Sequence, residues 1–98
     1  MYHILWEYDV RADRLPDFET LYGSTGAWAL LFNSADGYRG TELYRDAARP
    51  THFLTLDRWS SRAAFEACIQ AMGDAYRRLD EQAAALTVSE RRLGDFEA

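Results

Sequence analysis

The chain contains no lysine; all eleven basic residues are arginine, set against sixteen acidic ones for a net charge of −5. No basic block stands out among them, so nucleic acid is not an expected partner. A single cysteine, Cys68, excludes an intrachain disulfide and a thiolate metal cluster. The only histidines, His3 and His52, lie too far apart for a metal-ligand spacing, so no metal site is expected. No apolar run approaches the ~20 residues that a membrane span requires. The opening stretch MYHILWEYDVR lacks a basic leader. The expected setting is cytoplasmic, with no membrane partner.

Aromatic residues, by contrast, are plentiful. Three Trp, six Tyr and five Phe make up 14% of 98 residues. A chain of this length forms one domain, residues 1–98, and buries roughly 65% of the surface it would expose unfolded. So thin a core has trouble holding every ring, and a ligand pocket or a partner chain would bury the remainder.

The periodicity changes along the chain. From Tyr2 to Arg11 it alternates, with Tyr2, Ile4, Trp6, Tyr8 and Val10 on one face of a strand and His3, Leu5, Glu7 and Asp9 on the other. Asp13 is placed to cap a helix that tolerates Pro16 in its first turn and carries Leu15, Phe18, Leu21 and Tyr22. Gly23 to Gly26 interrupts it, and Ala27 to Phe32 resumes as a second helical piece. After the turn Asn33–Gly37, strands are expected over Tyr38–Arg45 and Thr51–Trp59, joined as a hairpin. Ser60 or Ser61 then caps a helix with Phe65, Cys68, Ile69, Met72, Tyr76, Leu79, Ala83 and Leu86 on its apolar stripe, with Gly73 marking a bend or a join. Thr87–Phe96 reads as the last strand.

The order β-α-β-β-α-β, with right-handed crossovers, implies an α+β fold of the ferredoxin-like kind: a four-stranded antiparallel sheet with both helices on one face. The other face ought then to be polar, yet the third strand carries apolar groups on both faces, Phe53 and Trp59 on one and Leu54 and Leu56 on the other. A second copy of the sheet would cover the second face, so a homodimer is expected.

The segments GYRGTELYRD and FLTLDRWSSRAAFEA resemble the antibiotic biosynthesis monooxygenase family, above all in Trp59, Ser61, Ala64 and Phe65 at the strand–helix junction. The resemblance covers nearly the whole chain and implies a dimeric α+β barrel, in which the sheets of two chains pack together. It also implies a monooxygenase or related oxidoreductase that needs no cofactor and acts on a small aromatic, quinol-like molecule. The family holds other activities too, and a non-catalytic ligand-binding or accessory protein is the alternative. In members that oxidise polycyclic phenols, an Asn four residues before the junction Trp and a Tyr six residues after it line the pocket; here those places hold Thr55 and Phe65, and only Trp59 matches. In the haem-degrading branch the working Asn, Trp and His correspond to Glu7, Cys68 and approximately Arg78, so haem degradation is not implied.

The substrate-binding candidates are therefore Trp59, Thr55, Phe65, Trp28 and Tyr76. The catalytic base is left open, with Glu7 and Asp57 as candidates. Thr55, Asp57 and Trp59 share a strand face by parity, whereas His52 points the other way. Each has a plainer reading. Trp59 and Tyr76 serve equally as core, Asp57 and Glu7 as members of ion pairs, and Trp28 as a lid beside Gly23–Gly26 or as the anchor of a short helix.

Overall fold

A computed structural model describes all of residues 1–98. Alternating side chains put nine residues in the first strand, β1 (Tyr2–Val10), and a short 3-10 turn (Ala12–Arg14) leads to α1 (Leu15–Tyr22) and α2 (Ala27–Phe32). The hairpin of β2 (Tyr38–Arg45) and β3 (His52–Trp59) follows, then α3 (Arg62–Met72), α4 (Asp74–Ala84) and β4 (Thr87–Glu97). All neighbouring strands are antiparallel in the order β2-β3-β1-β4, which is the ferredoxin-like arrangement the element order implied.

Two local expectations are corrected. Asp13 does not cap α1: it lies inside the 3-10 turn, Arg14 holds the cap position, and no side chain caps the helix. The turn is closed by the Arg14 N–H donating to the Arg11 carbonyl, which takes up the residues that would otherwise flank the helix start. Leu86 is buried but not helical, because α4 stops at Ala84. Its N–H donates to the Ala83 carbonyl and its own carbonyl accepts the N–H of Arg11, tying the α4–β4 turn to the end of β1.

Of the two serines that could start α3, Ser61 is the cap, accepting the Ala64 N–H at 3.1 Å. Gly73 joins α3 to α4 with φ 46°, a left-handed value that glycine adopts at least cost. A second glycine is fixed by crowding. A Cβ on Gly26 would lie 2.3 Å from the Thr20 carbonyl oxygen, so the corner between α1 and α2 is tight enough to hold Trp28 over the sheet.

The core lies between the sheet and the helices. Trp59 and Phe18 are fully buried, with Phe53 at 1% and Ile4 at 2% exposure. Phe18 stacks on Tyr22 at a 4.4 Å centroid distance, and Phe32, Tyr38 and Phe65 surround Trp59. Aromatic pairs of this kind contribute about 0.5–1.5 kcal/mol beyond the area they bury. On the other face, Leu5, Leu54 and Leu56 are only partly covered, and Tyr44 and Phe96 are exposed.

Candidate functional site

A cavity of about 140 Å³ opens between the helix-side face of the sheet and α1, α2, α3 and α4. Parity of the strands delivers its inner wall. Ile4, Trp6 and Tyr8 come from β1, Thr55 and Asp57 from β3, and Thr41 from β2, directly opposite Asp57 in the register. The helices add Tyr22, Trp28, Phe32, Phe65, Tyr76 and Asp80. β4 adds Glu90 and Arg92, which face Tyr8 and Trp6 in the ladder. A register shift between Leu5 and Trp6 sets that alignment, the extra residue Leu93 being left partly exposed.

Asp57 is the chemically distinctive group. The Thr41 hydroxyl donates to its Oδ1 at 2.7 Å, and the Tyr38 hydroxyl is hydrogen-bonded to Thr41 in turn. No cation answers it: the protein's ion pairs lie elsewhere. Burial pushes its carboxyl up to about 6, and the Thr41 hydrogen bond only partly opposes that rise. A carboxylate with a pKa near neutrality, in an aromatic cavity, is suited to accept a proton.

Thr55 is 2% exposed and shares a 3.3 Å hydrogen bond with the Tyr8 hydroxyl. Burial raises the pKa of Tyr8 and of Tyr22, so both stay neutral and act as donors or acceptors rather than as bases. Trp28 packs edge-on against Tyr76 at 5.2 Å, and its indole N–H acts on the Tyr22 hydroxyl, opposing part of the rise that burial gives that group. At the rim, burial and the charge of Asp80 raise the Glu90 carboxyl.

Thr55, Phe65, Trp28, Tyr76 and Asp57 thus line one cavity. Trp59 does not. It is sealed behind the cavity among Phe32, Tyr38 and Phe65, which corrects its expected place as a pocket wall. The reason is the tight junction that follows: the Ser60 N–H donates to the Gly37 carbonyl at 2.7 Å, drawing the strand end under α2 and α3.

Glu7 is on the opposite face of the sheet, where it pairs with Arg91 and lies 3.0 Å from His52 Nε2. His52 Nδ1 is 2.9 Å from Asp46, and the hydrogen bonds to Glu7 and Asp46 raise the histidine's pKa. This cluster has no access to Asp57.

Sequence reasoning missed Thr41, Glu90 and Arg92. Thr41 was accessible by parity, two residues before the apolar Leu43. Glu90 and Arg92 were not, because β4 shows no apolar alternation and its register depends on the bulge.

The family model described as antibiotic biosynthesis monooxygenase matches residues 1–85, and the chain belongs to that family. Among solved structures, it is similar to a mutant of SnoaB, a cofactor-independent oxygenase from Streptomyces nogalater. That match has a TM-score of 0.81 at 18% identity and covers 99% of this chain and 91% of SnoaB. It is also similar to a Deinococcus radiodurans protein described as a candidate antibiotic biosynthesis monooxygenase, with a TM-score of 0.80 at 17% identity over 100% and 92% of the two chains. A conserved Methanosarcina mazei protein matches with a TM-score of 0.74 at 11% identity over 98% and 90%. Comparison with curated protein sequences gives no match.

Proposed function

We propose that this member of the antibiotic biosynthesis monooxygenase family is a small oxygenase of phenolic or hydroquinone rings, working without a cofactor, with Asp57 as its base. The observation that carries the reading is a carboxylate without a counter-ion, set in an aromatic cavity and held by Thr41. The description of SnoaB as a cofactor-independent oxygenase supports it. Asp57 accepts the phenolic proton, and the phenolate passes one electron to O2. The resulting pair joins at a ring carbon, and Asp57 returns its proton to give a hydroperoxide. Loss of the hydrogen on that carbon together with hydroxide leaves a carbonyl, so phenol and O2 become quinone and water.

The aromatic walls hold the ring, exclude water and let the anion form against fixed dipoles instead of solvent. The test is oxygen uptake by metal-free protein offered a panel of phenols and hydroquinones, with Asp57→Asn alongside. Saturable uptake that the substitution removes supports the reading; uptake unaffected by it overturns the role of Asp57.

A second reading, a binding or accessory protein, is favoured by two observations. Phe65 lacks the hydroxyl that phenol-oxidising members carry there, and Trp59 is sealed from the cavity. Tight binding of a phenol with no uptake would select it.

The protein is further proposed to act as a homodimer through its open sheet face. Leu5, Leu54 and Leu56 lie there outside the core cluster, beside exposed Tyr44 and Phe96. That face carries both signs of charge, in Glu7 with Arg91 and Glu42 with Arg58, as a self-complementary surface requires. Sedimentation measures the state directly: Leu54→Arg is expected to convert a dimer to monomer, and a monomeric wild type would end the proposal.

A further inference from the structure

The cavity's size and its charge both restrict what it takes. A cavity of about 140 Å³ is close to the engineered void of about 150 Å³ that admits one benzene. One ring fits. The lining carries three carboxylates, Asp57, Asp80 and Glu90, against one guanidinium, Arg92. That guanidinium is occupied at 3.3 Å with the Tyr2 hydroxyl, which itself donates to Asp95. Asp80 and Glu90 take part in no ion pair, and each is close enough to Tyr76 and Tyr22 to act on their titration.

Aromatic faces beside unpaired carboxylates attract an organic ammonium, which finds the ring quadrupoles and the negative charges together. Trp28, 8% exposed, adds a further aromatic face to that lining.

We propose that the ligand is a single-ring phenol bearing a protonated amine, its hydroxyl turned inward to Asp57 and its ammonium held at the rim by Asp80 and Glu90. The oxidation of that ligand rests on the function proposed above; its recognition rests on the cavity alone.

Three ligands of nearly one shape separate the two. These are ortho-(aminoethyl)phenol, ortho-propylphenol and ortho-hydroxyphenylacetate, which carry a cationic, a neutral and an anionic tail and each leave the para carbon free. Titration calorimetry is expected to rank them in that order, with the cation bound about tenfold more tightly than the neutral ligand. Glu90→Gln, a rim substitution, should reduce that preference without weakening ortho-propylphenol. Equal or tighter binding of the neutral ligand, or no binding by any of the three, overturns the proposal. Oxygen uptake is read on the same samples. A cation preference without uptake sustains the ligand class and removes the oxygenase reading, whereas uptake confined to the neutral phenol does the reverse.

Discussion

The two faces of one sheet treat charge in opposite ways. On the open face Glu7 is answered by Arg91 and His52 and Glu42 by Arg58, and Asp46, in the loop after β2, by His52 and Arg49. On the helix side, next to Arg58 on β3, Asp57 has a threonine hydroxyl and no cation. Solvated ion pairs contribute little, commonly below about 1 kcal/mol, and mark a surface. A buried carboxylate without a counter-ion costs stability, and such a cost persists where the group has a task. That contrast is the ground for proposing Asp57 rather than Glu7 as the base, since residue type alone does not separate them.

The comparison can be broken most severely at Asp57. Its replacement by Asn keeps the acceptor for Thr41 and removes the base, and kcat/KM for oxygen uptake is expected to fall by about 10²–10⁴. In the wild type, kcat/KM should rise with pH through about 6 and then level, because the base must be ionised. Rate measurements across that range check both.

The same substitution should stabilise the protein. The folded carboxyl titrates at about 6 and the ordinary one at 3.8, so between those values the folded state holds a proton that the unfolded state has lost. Wild-type stability therefore falls as pH rises through that window, by roughly 3 kcal/mol at most. Asp57→Asn should gain that amount near pH ~8 and nothing below pH ~4 in chemical denaturation; a loss at both would mean that the carboxylate is structural.

A smaller effect is expected at Thr41. Thr41→Val removes the one hydrogen bond that lowers the Asp57 pKa, so the acid limb of the rate profile should move to higher pH with a loss of about tenfold or less. The smallest belongs to the open face. The pKa of His52 is raised, so its stabilising charge is fully present below 6.5 and is lost as pH rises through the folded value. His52→Gln should lower Tm slightly in mild acid, leave it unchanged in alkali, and leave oxygen uptake untouched throughout.

Alternation exposed β1 and β3, because each buries one face and a slip of one residue would invert it. It also brought Thr55 and Asp57 to one side and sent His52 to the other. Parity could not tell a wall from a plug. Trp59 shares the face of Asp57, but the corner at Ser60 folds it under the helices, and only three-dimensional packing decides that. Helix starts were read from cap chemistry, which succeeded at Ser61, where the side chain accepts the Ala64 N–H, and failed at Asp13, where a 3-10 turn intervenes. The rim was the least legible part. Glu90 and Arg92 belong to a strand whose side chains are nearly all polar or exposed, so nothing in the pattern marks which of them turns inward.

Cys68 has a practical consequence. It is the sole thiol, lies one helical turn beyond Phe65 on α3, is 5% exposed, and points its Sγ at Met72 Sδ. Burial raises its pKa, so the reactive thiolate is scarce while the helix stays seated. The native chain thus carries one built-in clock: its alkylation rate records how often the roof of the cavity lifts, and a molecule lodged beneath that roof should slow it.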